Sequence, residues 1–371
     1  MPLPRNIFLS LALTILAAPV HAESEVDLSK IILPDGFGIE VFADDVPNAR
    51  SVAVGDGGTV FVGTRTAGNV YAIPTNRGEG GSWRPGGPAV TIASDLNMPN
   101  GVAWRKGSLY VAEINRILRF DGIEDTLSKP PEPVVVSEDY PGVRHHGWKY
   151  IAFGPDDKLY VPVGAPCNIC DQEGFAEITR INPDGSGKEV FARGVRNTVG
   201  FTWHPESNEM WFTDNGRDWM GNDMPPCELN RASEPGQHFG YPHCHGNAVS
   251  DPDFGAGRSC DEFTAPVQEL GPHVAPLGLK FYTADAFPES YQGQVFIAEH
   301  GSWNRDDPIG YRVTLVRLDG NRSVAYETFA EGWLQDGKSW GRPVDLVVLD
   351  DGSMLVSDDQ AGVIYRIFYQ G

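Results

Sequence analysis

The sequence predicts an all-β, six-bladed β-propeller. Three observations carry this: a strand–turn–strand unit recurs, its first intervals are nearly constant, and no long stretch has the 3.6-residue period of a helix. The unit is a short apolar strand, a turn rich in Gly, Asp or Pro, and a second strand of alternating aromatic and aliphatic residues. Its starts lie 50, 49 and 50 residues apart, then 78 and 65.

The first unit, Val52–Val62, turns at Gly55–Gly58, and the second, Val102–Val111, turns at Lys106 and Gly107. Ile151–Val161 turns at Pro155–Asp157, and Phe201–Phe212 keeps the rhythm. The fifth unit is stretched from Leu279 to Ile297, and the sixth, Val344–Val356, turns at Asp350–Gly352. Third strands are expected at Asn69–Ile73, Arg116–Phe120, Glu177–Ile181, Val313–Arg317 and Val363–Phe368. The N-terminal Gly38–Phe42 is expected to supply the outer strand of the last blade, which closes the ring and leaves no open edge. A pair of β-sandwiches, the alternative fold, gives no reason for 50-residue self-similarity. The two long intervals imply insertions at about 214–278 and 299–312, loops of a size that usually carries function. In a propeller such loops gather over one mouth of the central channel.

Residues 1–22 read as an export signal. Arg5 supplies the positive start, Ile7–Val20 the apolar run, and Val20-His21-Ala22 the small-x-small cleavage site. The run is too short to stay as a membrane anchor; a buried N-terminal helix is the alternative. Residues 23–371 then form one domain, periplasmic or secreted, with no membrane span. A net charge of −21 argues against nucleic acid and anionic lipid as partners. Any cluster of Arg in such a chain needs a local reason, such as an anionic ligand.

Five cysteines in an exported chain imply disulfides with one thiol left over. The spacing favours Cys167–Cys170, closing a tight loop, and Cys244–Cys260, stapling a polar loop, with Cys227 free. Cys170 is followed by Asp171 rather than His, so this is no c-type haem attachment site. A structural loop is preferred to a redox-active pair.

His145 and His146 stand just before the strand Tyr150–Phe153. Alternation sends neighbours to opposite faces, so at most one of the pair can point down the channel. Arg196 and Asn197 take the same place in the next repeat. Arg342 precedes the strand of blade six, Arg305 lies in the segment Glu299–Arg305, and Arg144 and Lys149 flank the His pair. Singly, each reads as a solvated charge or a polar turn residue. As a set they suggest a polyanionic small molecule, since guanidinium forks pair with carboxylates bidentately. Asp214–Asp218 and Pro226–Asn230 are oxygen-rich segments of the kind Ca²⁺ prefers, without an EF-hand pattern. His238, His243 and His245 raise a transition-metal site but lack zinc-finger spacing. There is no nucleophile elbow, phosphate loop or dinucleotide glycine fingerprint, so a redox cofactor here is not NAD on a Rossmann unit.

With these residues in view, the mature chain resembles the soluble pyrroloquinoline-quinone (PQQ)-dependent sugar dehydrogenases, particularly their L-sorbosone dehydrogenase-like branch. The resemblance lies in His146 ahead of Phe153–Asp156, in Gly194–Asn197, in Asp214–Gly216 followed by Glu228–Asn230, in Gly236–Pro242 and in Glu299–Arg305. It implies a six-bladed propeller with the quinone and Ca²⁺ at one mouth. By this resemblance His146 is the general base and Arg196 the cation beside the reactive carbonyl. Asn197 and Arg342 contact the cofactor, and Arg305 stands in loosely for a Lys that grips a quinone carboxylate. Gly216 and Arg217 offer backbone carbonyls to Ca²⁺. Three positions depart from the glucose enzymes: Arg217 stands for Pro in the calcium turn, Cys227 for Asp, and His145 for an acid. The implied reaction is oxidation of a sugar, a sorbosone-like aldehyde hydrate or a related alcohol, with an external cytochrome or quinone as electron acceptor. A calcium-dependent lactonase and a non-catalytic binding scaffold are the rival readings.

Overall fold

The computed structural model describes Met1 and residues 26–371; the export signal expected over 1–22 otherwise lies outside them. Six four-stranded antiparallel sheets form the blades of a propeller. Blade 1 runs Ala49–Val54, Val60–Thr64, Val70–Ile73 and Val90–Ala93, and blade 2 runs Gly101–Arg105, Ser108–Ala112, Ile117–Asp121 and Val134–Ser137. Blade 3 opens on a two-residue strand, Ala152–Phe153, followed by Leu159–Val163, Glu177–Ile181 and Glu189–Arg193. Blade 5 comprises Pro276–Phe281, Val295–Glu299, Arg312–Asp319 and Arg322–Ala330. Among the described residues the only helices are 3₁₀ turns of three or four residues, and none is long and apolar enough to cross a membrane.

Blade 4 departs from the expectation. Its strands are Phe201–Trp203, Met210–Asp214, Pro226–Ala232 and Gln268–Pro272. Two of them lie inside the stretch read as an insertion, so the excursions are 215–225 and 233–267 rather than all of 214–278. Pro225 and Pro226 at its start and the polar Glu228 and Asn230 hide the alternation of Pro226–Ala232 from a sequence reading.

The core is divided into six apolar clusters, each centred between two neighbouring blades, and the one between blades 3 and 4 also takes in Leu277 and Val344. Strand alternation feeds two clusters at once. Val60 and Val62 pack toward blade 6, while Phe61 between them packs toward blade 2. Every residue of Val60–Thr64 is buried because both faces of the sheet are covered. Hydrogen bonds stitch the first strands together around the channel. Asn100 receives Arg50 Nε at 2.8 Å and donates to the Lys149 carbonyl at 2.9 Å, while Val52 N–H donates to Asp345 at 2.9 Å.

Blade 6 takes Pro343–Val348, Met354–Asp358 and Val363–Tyr369 from the end of the chain and Phe37–Ala43 from its start. Phe37 pairs with Tyr369, Ile39 with Ile367 and Val41 with Tyr365. The closing strand expected at Gly38–Phe42 is therefore present. Phe37 anchors it, with its ring centroid 4.8–5.3 Å from those of Phe287, Phe329, Tyr369 and Tyr291. Cys167–Cys170 and Cys244–Cys260 are bridged and Cys227 is a buried free thiol, as the spacing predicts.

Replacing Phe37 by Ala removes this anchor and leaves a cavity between blades 5 and 6. It should lower the unfolding free energy by about 2–4 kcal/mol, read as a shift of the urea midpoint with an unchanged slope.

Candidate active site

The starts of the first strands with the turns that precede them, and the ends of the second strands, meet at one mouth of the channel, around a cavity of about 410 Å³. Arg50, His146, Arg196, Asn197, His273 and Arg342 reach it from the first set, and Arg65, Gly216 and His300 from the second. Five blades thus contribute, each of them a guanidinium or an imidazole, in a chain of net charge −21.

His146 sits in the turn Arg144–Gly147 with φ +48°, a left-handed conformation rare outside Gly. Its Nδ1 lies 2.9 Å from the Ala165 carbonyl. A carbonyl only accepts, so the hydrogen is on Nδ1 and Nε2 keeps its lone pair. Gly164 permits the fit, because a Cβ there would stand 2.6 Å from His146 Cβ. Burial first, then the charges of Arg196 and His145, hold the imidazole pKa well below the usual 6.5. At neutral pH it is a free base.

His145 also lines the cavity, which corrects the expectation that only one of the pair can face it. The alternation rule fails because the regular strand begins only at Ala152, while the two histidines occupy a turn with ring centroids 4.1 Å apart. His145 is exposed where His146 is buried.

Arg196 is held from three sides. Nε donates to the Asn168 carbonyl at 2.9 Å, Nη1 to the Asn215 carbonyl at 3.1 Å, and Nη2 to Asn168 Oδ1 at 2.8 Å and Asp218 at 3.2 Å. The Asp214 carboxylate fixes the backbone below, accepting from the N–H of Arg196 at 2.8 Å and of Asn197 at 2.6 Å. Asn168 lies inside the Cys167–Cys170 loop, so the disulfide closes the segment that clamps this arginine. Sequence reasoning passed over Asn168 because a Cys-x-x-Cys loop draws attention to its thiols rather than to what it encloses.

Arg342 donates to the carbonyls of His300 and Gly301, both at 2.9 Å. Arg50, the second residue of its strand and missed in the sequence, pairs with Asp359 at 2.9 Å. Asp359 also accepts from His300 at 2.8 Å, and burial pushes that imidazole pKa down to about 4. Arg65 lies over the Trp148 ring at 5.0 Å, and among the described residues its guanidinium has no hydrogen-bond partner. Arg305 does not line the cavity. It turns to the Asn222 carbonyl, Asp223 and the Asp307 carbonyl and straps two insertions together.

Gly216 lines the cavity, whereas the Arg217 guanidinium is drawn away to Asp251 at 2.6 Å and Asp253 at 3.1 Å. The carbonyls of these two residues accept no hydrogen bond from the described residues. Asp214 accepts from two backbone N–H groups, and Glu228 from Gly246 N–H and the Asn230 amide. Burial raises the pKa of both carboxyls. Among the described residues no group of three or more His, Cys, Asp or Glu side chains is arranged to hold a metal. Cys227 reaches the cavity, but burial pushes its thiol up to about 11, so it is no nucleophile at neutral pH.

The sequence model of the family described as glucose/sorbosone dehydrogenase matches residues 115–301, and one described as TrAA12-like matches 250–370. An uncharacterized protein of Borreliella burgdorferi is 33% identical over 385 residues, covering 98% of each chain. A pyrroloquinoline quinone-dependent pyranose dehydrogenase of Coprinopsis cinerea is 28% identical over 196 residues, 45% of this chain and 22% of that one. The calcium structure of a Trichoderma reesei carbohydrate-active enzyme of family AA12 shares the fold, with a TM-score of 0.79 at 19% identity over 92% of this chain and 97% of that one.

From about pH 6 to 8 the His146 imidazole should stay neutral with its hydrogen on Nδ1. Arg196→Ala should raise its pKa by removing the adjacent charge. Nitrogen-15 NMR of labelled histidine reads both, and a pKa at or above the ordinary value would contradict the assignment.

Proposed function

The chain belongs to the glucose/sorbosone dehydrogenase family, and from that premise we propose that it oxidises a sugar or a related alcohol or aldehyde hydrate with PQQ as electron acceptor and Ca²⁺ beside it. The observation that carries the reading is the ring of Arg50, Arg65, Arg196 and Arg342 around a cavity that also holds a neutral, buried imidazole.

The residues fit a flat polycarboxylate. Arg65 offers an unpaired guanidinium, while Arg196 and Arg342 are preorganised by their carbonyl partners. Asn197 adds an amide at the same rim. Arg305, in its strap, leaves the carboxylate-gripping role to Arg65. The free carbonyls of Gly216 and Arg217 suit a hard cation, which would need further oxygens from the cofactor and water to complete six or more ligands. Bound there, the quinone would supply the two-electron acceptor for the substrate's carbon–hydrogen bond, with calcium as Lewis acid.

The chain's own part is proton transfer and charge placement. His146 Nε2 takes the substrate hydroxyl proton, and the Ala165 carbonyl stabilises the resulting imidazolium through Nδ1–H. Arg196, fixed by four hydrogen bonds, presents positive charge without reorganising. An external acceptor, a cytochrome or a quinone, would be needed to take up the two electrons. The two disulfides suit the oxidising compartment that an export signal implies. A lactonase would require a carboxylate-ringed divalent ion, and among the described residues no three His, Cys, Asp or Glu side chains are grouped to hold one. A binding scaffold would give no reason for a neutral imidazole beside four arginines.

Reconstitution with PQQ and Ca²⁺ should yield dye reduction across a sugar panel; no turnover with any sugar overturns the proposal. His146→Ala should lower the rate about 10²–10⁴-fold while quinone binding, followed by its absorbance, persists. It should also remove the acidic limb of the pH profile, which lies below the ordinary imidazole range. His145→Ala should have a much smaller effect, and Arg342→Ala should weaken quinone binding first.

A further inference from the structure

Two indoles stand in water at the rim of the cavity. Trp219 is 70% exposed and Trp303 66%, and their rings meet edge to face with centroids 5.5 Å apart. Trp303 lines the cavity and Trp219 extends the surface outward. Neither indole packs into the core, although each belongs to a loop that is firmly held. Asp218 bonds to Arg196, to Asn304 at 2.7 Å and to Asn168. His273 Nε2–H donates to the carbonyls of Gly221 at 2.9 Å and Met224 at 3.1 Å, and Asn222 donates to Asp306 at 2.9 Å. Trp219 itself has φ +70°, a conformation that a bulky L-residue adopts only when its surroundings impose it. The fold therefore accepts backbone strain to hold a large apolar ring in solvent beside the reaction cavity.

Exposed aromatic surface of this kind marks a binding site. The indole face carries the negative side of a quadrupole, and the carbon–hydrogen face of a pyranose ring is weakly positive and apolar, so the two stack. The hydrophilic rim around the pair, from Asn222, Asp223, Asp306 and Asp307, supplies acceptors for sugar hydroxyls and disfavours an anionic occupant. The cavity is near the small end of the roughly 300–1,000 Å³ typical of small-molecule sites, so with a three-ring cofactor inside it has room for about one sugar ring. A second ring must then lie outside, where the indoles are.

Resting on the dehydrogenase reading, we propose that Trp219 and Trp303 form a stacking subsite for the second residue of an oligosaccharide, so that the enzyme oxidises the end of a glycan rather than a free monosaccharide.

The test uses the full chain with glucose, cellobiose and cellotriose, and with xylose, xylobiose and xylotriose. Calorimetry on the protein loaded with Ca²⁺ and reduced PQQ under nitrogen, where no turnover occurs, should show affinity rising about tenfold from one ring to two and little from two to three. Trp219→Ala and Trp303→Ala should each remove most of that gain, and Trp→Phe at either position should restore part of it, with circular dichroism confirming the fold. Affinity that does not grow with length, or growth that survives both Ala variants, overturns the subsite. If the loaded protein still oxidises single-ring sugars in that case, the dehydrogenase reading stands alone. If no sugar is bound or oxidised at any length, both fall. Loss confined to reduction of a c-type cytochrome, with sugar affinity intact, would make the pair a protein dock and overturn the subsite.

Discussion

Every blade covers its two faces only because another blade stands on each side, so the ring has to close. The last sheet obtains its outer strand from Phe37–Ala43, hydrogen-bonded to Val363–Tyr369, and chain start and chain end become one element. Without that strand the edge of blade 6 would be open, and Phe37 would leave the aromatic group it shares with Phe287, Phe329 and Tyr369. The same closure sets the site. Once six sheets stand around an axis, their first strands line the channel and the turns before those strands converge at one mouth. The cavity is a consequence of topology before it is a matter of residue type.

The charge at that mouth follows from how each cation is housed. A buried ion is unfavourable by several kcal/mol unless paired and hydrogen-bonded. Arg50 has Asp359, Arg196 has Asp218 and three contacts on Asn168 and Asn215, and Arg342 has two carbonyls. Only Arg65 rests on an aromatic face alone. The pairing makes the guanidiniums rigid rather than neutral, so the cavity keeps a positive field. That field also acts on His146, where burial and the Arg196 charge favour the neutral imidazole. Anion binding and a free base are therefore two results of one arrangement.

Three sequence expectations changed in the folded chain, each because a rule was applied beyond its domain. The His145–His146 alternation presumes a strand, and those residues form a turn in which His146 is left-handed. Arg305 was counted with the cavity cations from its neighbourhood in sequence, yet its side chain follows the nearest acceptors, at Asn222 and Asp223. The stretch 214–278 looked like one insertion because two strands of blade 4 carry prolines and polar residues that blur the period.

The sequence by itself determined the number of blades, the closing strand, both disulfides and the placement of His146, Arg196, Asn197 and Arg342 at one mouth of the channel. These are local or periodic properties: strand alternation, turn chemistry and a repeat near fifty residues are written along the chain. Tertiary structure alone decided that Arg50, Arg65 and His300 join the same cavity, that Asn168 clamps Arg196, and that Trp219 meets Trp303 across two insertions. Those contacts join residues from 28 to more than 200 positions apart. Their side-chain directions depend on which hydrogen-bond partners the closed ring brings within about 3 Å, and no local pattern encodes that choice.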